Sequence, residues 1–440
     1  MRKGTLLAAA LLALPACAPA QQSPPSTPEQ AATTSTQAAA QPAPSARISL
    51  DEAIRLALQH NHALQAARTT ILQNQALETT ANLRPNPTLT WDAQFLPIFE
   101  PSKFTADYIN NQAQFDLGIG YTFERGKKRQ HRLEAARDLT SVSRSTVADN
   151  ERTLTFSVAQ QFVSVLLAQS TVDLAKQDLD SFQKTVNVSE ERFRAGDMSE
   201  GDLLKIKLQM LQFQTDLSQA QLLKVQAIAA LRQSVGFESV PDFFDVEGQL
   251  DYQPVHAGLE DLKALALRTR PDLSAAQRGV TAAKSQELLA EANGKRDLGA
   301  SFNYSHLGDT NTGAFFFNIQ LPIFDRNQGE IARTRFAVTQ SQELARESTE
   351  QVLSDVVDAY EALRTSEQIV QLYRGGYVEQ SQKSRDISEY AYKRGAASLL
   401  DFLDAERTYR ANQLAYRQAL ANYMTALEQM REAVGTRNLP

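Results

Sequence analysis

Two carboxylates, Asp401 and Asp404, lie three residues apart near the start of a segment with helical periodicity. Residues at this spacing share one face of a helix, so both side chains would point the same way. Such a pair could attract a cation. Ser398 and Asp401 also have the spacing of a capping pair, and acidic residues suit a helix N-terminus. Spacing alone leaves the structural and the functional interpretation open.

Motifs typical of enzymes or of resident metal sites do not accompany these acids. The five histidines show no ligand spacing, and His60 and His62 lie in a polar segment. Cys17 is the only cysteine, so the chain has no cysteine pair for zinc. Gly118 and Gly120 lie within a strand pattern and lack the following helix of a dinucleotide site. We therefore expect no enzymatic activity, no cofactor and no bound metal.

The totals exclude further classes of protein. Lys and Arg number 45 against 51 Asp and Glu in 440 residues, a net charge of -6. A nucleic-acid binder would normally carry a basic stripe, so we expect no nucleic-acid partner. No apolar run reaches the roughly 18 residues that a transmembrane helix needs.

The N-terminus predicts export and a lipid anchor. Residues 1–16 have two cations followed by a short apolar segment, as in a signal peptide. Leu14 and Ala16 precede Cys17 as in a bacterial lipoprotein signal, and Cys17 is the candidate lipidation site. An ordinary signal peptide followed by a chance cysteine is the alternative. Residues 17–46 are rich in Pro, Ser, Thr, Ala and Gln, which predicts a disordered tether.

The rest of the chain repeats itself. Three motifs recur at offsets of 209, 201 and 199 residues. The pairs are Ala57-Leu58 with Ala266-Leu267, Phe123-Glu124-Arg125-Gly126 with Phe324-Asp325-Arg326-Asn327, and Phe193-Arg194-Ala195-Gly196 with Tyr392-Lys393-Arg394-Gly395. This period is too long for a solenoid unit and indicates a duplicated half-protein. We predict a first repeat at 47–236, a connector at 237–258 and a second repeat at 259–436.

Each half contains two segments with strand periodicity. Apolar and polar residues alternate in 88–95, 115–123, 298–305 and 315–323. Taken singly, each pair could be a hairpin on a soluble core. The segments are, however, close to the ~9–11 residues that cross a bilayer. Four strands cannot close a barrel, and lipid does not tolerate open sheet edges, so membrane strands would require an oligomer that pools them.

The remaining segments predict very long helices. Apolar residues recur every seven positions, which is typical of coiled-coil packing. The series are Val158, Val165, Val172, Leu179, Val186 and Phe193; Val356, Leu363, Val370 and Tyr377; and Phe402, Tyr409, Tyr416, Tyr423 and Met430. From Lys128 to Arg194 no Pro or Gly interrupts the pattern, which predicts a rod of ~100 Å. A second apolar line at Leu204, Leu208 and Leu211 predicts a neighbour on another side of its helix.

With these features the chain resembles the TolC-type family of outer-membrane efflux ducts over residues 47–436. The resemblance rests on the duplicated halves, the strand pairs and the two tip motifs, RFRAG at 192–196 and YKRG at 392–395. The segments LPIFDRNQG at 321–329 and ERGKKR at 124–129 resemble the branch that serves cobalt-zinc-cadmium cation pumps. His62 stands where the family usually has proline, so we expect less bending there.

The resemblance implies a mainly α fold with a small β part. It implies a homotrimer in which long coiled-coil helices form an α-barrel, and four strands per protomer contribute to a 12-stranded transmembrane β-barrel. The trimer would lie in the outer-membrane lipid, anchored by Cys17, and extend into the periplasm. Its partners would be a periplasmic adaptor protein and an inner-membrane pump of the RND type.

The resemblance also assigns roles to individual residues. Asp401 and Asp404 match the carboxylates that line the closed periplasmic aperture. Asp202 and Tyr392 match residues that hold the aperture closed, and Arg394 is the candidate substitute for a family arginine that is Ala397 here. The tips that would meet the adaptor are Arg194, Gly196, Asp197, Gly395, Ala396 and Ser398.

The predicted function is a passive exit duct for metal cations. Drug efflux or type I secretion through a duct of the same family is an alternative, because the pump selects the substrate. A second alternative is a lipid-anchored periplasmic coiled-coil scaffold without a pore.

Overall fold

The computed structural model describes residues 46–242 and 244–439. The predicted signal peptide, Cys17 and the predicted tether up to residue 45 lie outside the described residues. The α-helices are α1 (Leu50–His60), α2 (His62–Ala81), α3 (Ala106–Asn111), α4 (Lys128–Arg194), α5 (Glu200–Val235), α6 (Leu259–Thr269), α7 (Pro271–Asn293), α8 (Gln328–Leu372), α9 (Val378–Lys393) and α10 (Leu399–Val434). The strands are β1 (Ala46–Ile48), β2 (Thr88–Gln94), β3 (Gln114–Phe123), β4 (Phe244–Val246), β5 (Leu298–Leu307) and β6 (Thr310–Ile319).

Apart from α3, which lies between β2 and β3, the two halves have the same order of elements. Each contains two helices, an antiparallel strand pair, a long helix and a return helix. In the first half the long helix is α4, whose 67 residues span ~100 Å and have the predicted ends. The duplicated, mainly helical fold that the sequence predicts is confirmed.

The long helix of the second half is interrupted, where the apolar spacing predicts a very long helix. A turn of π-helix at Tyr373–Tyr377 separates α8 from α9. Gly376 has φ +119°, which L side chains rarely adopt, so the bend depends on a glycine at this position. The heptad series of this half runs up to the bend and gives no sign of it, because a local backbone change leaves the apolar spacing intact.

The sevenfold apolar spacing marks the contacts between the long helices. Val158 and Val165 on α4 are buried, as are Val356 and Val370 on α8. Helix α4 packs against α2, α5, α7 and α10, and α8 packs against α7 and α10. The helices therefore lie side by side along their length, and the predicted coiled-coil packing is confirmed.

The first helical segment bends where we expected little bending. Asn61 separates α1 from α2, and its side-chain oxygen accepts a hydrogen bond from the backbone N–H of Leu64 at 3.0 Å. Its amide group donates to the backbone oxygen of Ser234 at 3.1 Å. In the second half Arg270 occupies the corresponding break, followed by Pro271. Capping by asparagine thus interrupts the helix without proline.

The four longer strands form one antiparallel sheet in the order β2-β3-β5-β6. Strands β2, β3 and β5 start and end within two residues of the predicted bounds. Strand β6 begins five residues earlier and ends four residues earlier than the predicted 315–323. A two-residue turn at Gly308, with φ +57°, and Asp309 joins β5 directly to β6. Pro322 lacks a backbone N–H donor and lies beyond the strand.

The register sorts the side chains of this sheet onto two faces. Directly opposed residues share a face. One face carries a continuous apolar surface: Leu89, Trp91, Leu117, Ile119, Tyr121, Phe123, Phe302, Tyr304, Phe315, Phe317 and Ile319. The opposite face is mostly polar and includes Asp92, Asp116 and Ser305, which pair across three strands.

Two further features complete the fold. The short strands β1 and β4 pair in parallel and join the start of the folded chain to the predicted connector. Within residues 46–242 and 244–439, no helix combines the length and apolar character that a membrane span needs.

Candidate functional site

The candidate site lies at the two turns that close the long helical hairpins. Gly196 follows α4 and Gly395 follows α9, with φ of +82° and +73°. A side chain at either glycine would have open space around it, so glycine is favoured by the backbone conformation alone. The predicted tip residues Arg194, Asp197 and Ala396 are exposed beside these turns.

Asp401 takes part in capping the last helix. Ser398 is the N-cap of α10, and its hydroxyl oxygen accepts the backbone N–H of Asp401 at 3.2 Å. The Ser398 hydroxyl and backbone N–H donate to the Asp401 carboxylate at 2.7 and 3.2 Å. These bonds hold the pKa of the Asp401 carboxyl below its usual value. The predicted capping role of the Ser398–Asp401 pair is therefore confirmed. The Asp401 carboxylate is also exposed and stays charged at neutral pH.

The other two predicted acids also have local partners. Asp404 lies one turn after Asp401 and forms an ion pair with Arg407 at 2.7 Å between largely exposed side chains. Asp202, in the first turn of α5, accepts the Ser199 hydroxyl at 2.9 Å and pairs with Lys205 at 3.1 Å. The Ser199 hydroxyl, and then Lys205, lower the pKa of Asp202. Asp202 and Asp401 therefore keep their negative charge at the tips.

Tyr392 is buried in an aromatic column behind the tips. Its ring stacks on Phe402 at 5.4 Å between centroids, with an interplanar angle of 8°. Phe402 stacks on Phe182 at 6.4 Å, and Phe182 stacks on Phe213 at 4.6 Å. The four rings come from α9, α10, α4 and α5, so the column joins both helical hairpins. The heptad series contains Phe402 alone of these rings, and the column as a whole is missed by sequence reasoning.

Arg192 contacts Tyr392 within the chain, and Arg394 does not contact the Tyr392 ring in the described residues. The Arg394 guanidinium lies 5.4 Å from the ring of Tyr390, on its own helix. The Arg192 Nη1 donates to the backbone oxygen of Tyr392 at 3.1 Å, and its guanidinium lies 5.4 Å from the Tyr392 ring. Arg192 thereby links the end of α4 to the end of α9. The two residues are 200 positions apart, so sequence spacing gave no signal of this contact.

A charged cluster lies next to the column. Arg410 bridges Asp178 on α4, at 3.1 Å, and Asp216 on α5, at 2.5 Å, and its guanidinium lies 4.2 Å from the ring of Phe213. Glu406 is buried one turn before Arg410. Burial raises the pKa of Glu406 to about 7, with a smaller contribution from Asp178 and against the attraction of Arg385 and Arg410. Sequence spacing alone does not identify a buried carboxylate among exposed ones.

The described residues contain no cluster of His, Cys, Asp and Glu side chains that could hold a metal ion. The site is instead a pair of capped turns with exposed acids, held together by stacked rings and buried ion pairs. It presents negative charge beside packed contacts between helices.

The sequence profile of the family described as "Outer membrane efflux protein" matches residues 53–237 and 262–436. This chain belongs to that family. Its members are outer-membrane channels rather than enzymes; they extend into the periplasm and work as trimers with adaptor proteins and inner-membrane pumps. The scaffold without a pore is therefore the wrong alternative.

Individual relatives support the same assignment. The cobalt-zinc-cadmium resistance protein CzcC of Cupriavidus metallidurans is 25% identical over 398 residues, which cover 88% of each chain. The pyoverdine export outer membrane protein OpmQ of Pseudomonas putida is 23% identical, over 86% of this chain and 84% of OpmQ. The outer membrane channel CmeC of Campylobacter jejuni has a similar fold, with a TM-score of 0.74 at 15% identity, covering 89% and 86% of the two chains.

Removing the guanidinium of Arg192 should make the second tip open faster, because this group holds the backbone of Tyr392. In Arg192→Gln, amide hydrogen exchange around residues 392–398 should accelerate about tenfold, because a hydrogen bond from a charged donor to a carbonyl is lost. Arg194→Gln is the control, since Arg194 pairs with Glu191 on its own helix. Equal exchange rates in Arg192→Gln and the wild type would contradict the assignment.

The buried Glu406 predicts a pH-dependent stability. Its folded-state pKa of about 7 lies above the ordinary 4.5, so its protonation favours the fold. That stabilisation is complete below the ordinary pKa and is lost as the pH rises through about 7. Relative to the wild type, Glu406→Gln should gain on the order of 2–3 kcal/mol of unfolding free energy between about pH 5 and pH 8.

Denaturant unfolding at several pH values measures this gain. Glu343→Gln, which changes an exposed carboxylate paired with Arg346, is the matched control and should follow the wild-type curve. Parallel pH curves for the wild type and Glu406→Gln would show that Glu406 does not titrate in this range.

Proposed function

We propose that this chain is the exit duct of a tripartite efflux system for metal cations, working as a homotrimer. The observation that carries the proposal is the four-stranded sheet, with one apolar face exposed and two unpaired edges. Water does not favour the exposed apolar face, and lipid does not satisfy the backbone groups of the unpaired edges. A membrane covers the apolar face, and further copies of the chain cover the edges.

The apolar face supports insertion in lipid. Trp91, Phe315 and Phe317 are 70%, 74% and 73% exposed in the single chain. A contiguous apolar surface of this kind typically marks an interface with a membrane or a protein. The opposite face contains the carboxylate of Asp116, which accepts hydrogen bonds from the amides of Gln94 and Gln114 at 3.0 Å. An apolar outside and a polar inside are the pattern of transmembrane strands around a water-filled channel.

The edges support a trimer. The outer strands β2 and β6 each have a neighbour on one side only. Lipid does not satisfy the free backbone N–H and C=O groups, so β2 of one copy would pair with β6 of the next. Three copies pool twelve strands, enough to close a barrel.

Helix α5 supports the same assembly. Its inner line, Leu203, Ile206 and Phe213, is buried within the chain. Its second line, with Leu204 and Leu208, is 54% and 68% exposed. In a trimer this second line would pack on a helix of the neighbouring copy.

The tips form the periplasmic aperture in this proposal. Three copies of Asp401 and Asp404 would place six carboxylates around one axis, which attracts cations and repels anions. Asp202, Tyr392 and Arg394 would hold the aperture closed, joined by Arg192. The adaptor would contact the exposed tip residues, which are Arg194, Gly196, Asp197, Gly395, Ala396 and Ser398.

The relatives bear on the cargo and the anchor. The similarity to CzcC, named for cobalt, zinc and cadmium resistance, favours metal cations. The similarity to OpmQ, named for pyoverdine export, makes an organic siderophore the alternative cargo. Acylation of Cys17 would attach the chain to the outer membrane, and an RND-type pump would supply the energy.

Deletion of the gene tests the cargo. The strain that naturally carries it should lose tolerance to zinc, cobalt and cadmium, and the wild-type gene should restore it. Growth inhibition by each metal is measured alongside inhibition by organic drugs and siderophore release as controls. Unchanged metal tolerance with impaired release of an organic compound would assign the duct to that second cargo class.

The aperture assignment predicts a change in ion selectivity. In planar bilayers, Asp401→Asn combined with Asp404→Asn should lower the ratio of cation to anion permeability by roughly twofold or more, because the carboxylate ring loses its charge. Glu343→Gln combined with Glu347→Gln on α8 removes the same type of charge away from the tips. Equal selectivity in all three proteins would remove Asp401 and Asp404 from the aperture.

A further inference from the structure

A cationic cleft lies where the first strand pair meets the helices. Its volume is about 390 Å³, and it opens between the residues that precede β2, the end of β3 and the start of α4. Arg84, Lys127 and Arg129 contribute cationic side chains, and Tyr121 and Phe123 contribute rings. The cleft is therefore charged on one side and aromatic on the other.

Three cations of this cleft have no ion-pair partner among the described residues. Two other charged lining residues are paired, Lys128 with Asp297 at 2.8 Å and Glu124 with Arg132 at 2.7 Å. Across the part of the chain that the structure describes, Arg84, Lys127 and Arg129 form no ion pair. Three like charges around one cleft repel each other unless an anion lies between them.

The aromatic pair places the cleft at the border of the apolar sheet face. Tyr121 and Phe123 contact edge to face, with centroids 4.8 Å apart and an interplanar angle of 79°. Both belong to the apolar face, at its helical end, and Phe123 is 49% exposed. Aromatic side chains at the end of an apolar strand face are typical of the boundary between lipid tails and headgroups.

The second half shows that the turn does not need these cations. Lys127, the residue before α4, has φ 61° and ψ 26°, and Asn327, the residue before α8, has φ 62° and ψ 23°. The residues that follow are Lys128 and Arg129 in the first half, but Gln328 and Gly329 in the second. Asparagine suits this left-handed conformation better than lysine does. A long helix can therefore begin after this conformation without the cations of the first half.

We propose that this cleft binds the headgroup of an anionic phospholipid in the periplasmic leaflet of the outer membrane. Lys127, Arg129 and Arg84 would contact the phosphodiester, while Tyr121 and Phe123 would lie against the start of the acyl chains. Basic pockets at a membrane boundary recognise anionic headgroups by the same combination of charge and position. The proposal rests on the outer-membrane location alone and is independent of cargo and aperture.

Lipid binding to the purified full chain in mild detergent tests the proposal. Native mass spectrometry would compare phosphatidylglycerol with phosphatidylcholine, which has the same phosphodiester but no net charge. The wild type should prefer phosphatidylglycerol, and Lys127→Asn combined with Arg129→Gln should weaken its binding about tenfold or more. Lys127→Asn alone should weaken it less, and this variant copies the residue that the second half tolerates.

Arg144→Gln combined with Lys383→Asn removes two cations elsewhere on the helices and should leave the preference unchanged. Equal binding of the two lipids by the wild type would overturn the proposal, as would a preference that survives in the cleft variant. Competition by millimolar inorganic phosphate as strong as that by the lipid would assign the cleft to a free anion instead. Loss of trimers in the cleft variant, without lipid preference in the wild type, would assign it to a neighbouring copy.

Discussion

The backbone N–H and C=O groups along the two edges of the sheet require hydrogen-bond partners, and lipid provides none. Strands β2 and β6 each leave one side unpaired, while their side chains contribute to an exposed apolar face. Water would satisfy the edges but not the face, and lipid would satisfy the face but not the edges. A closed ring of copies satisfies both, which is why a single chain of this family is an incomplete unit.

The helices follow from the same requirement. A ring of strands limits where each long helix can begin, because four residues join β3 to α4 and eight residues join β6 to α8. The helices must then pack side by side along their length. A helix that contacts both its own chain and a neighbouring copy needs two apolar lines. Helix α5 has both, with Phe213 buried and Leu208 exposed. The sequence duplication supplies this pattern twice in each copy.

Much of this architecture could be predicted from the sequence because it depends on repeated spacing. The alternation in β3 and the unbroken helical pattern from Lys128 to Arg194 gave nearly correct bounds. The prediction was wrong where one residue decides the local structure. Gly308 closes a two-residue turn that shifts β6, and Gly376 permits a bend that apolar spacing does not reveal.

At the tips, too, local motifs were predictable from the sequence and long-range contacts were not. Capping by Ser398 and Asp401 follows from a short local motif and was predictable. The contact of Arg192 with Tyr392 and the burial of Glu406 depend on how helices distant in sequence come together. The ring column has the same origin, since its members are separated by up to 220 residues and meet only in the folded chain.

The bend at Tyr373–Tyr377 makes the two halves mechanically unequal. Helix α4 is one continuous helix from the sheet to the tip, so a displacement at one end would move the other end as well. The second half has a bend at Gly376 partway along, so α8 and α9 are two separate helices. Motion of the periplasmic end would therefore be concentrated in the second half, with the first half acting as the fixed frame against which it turns.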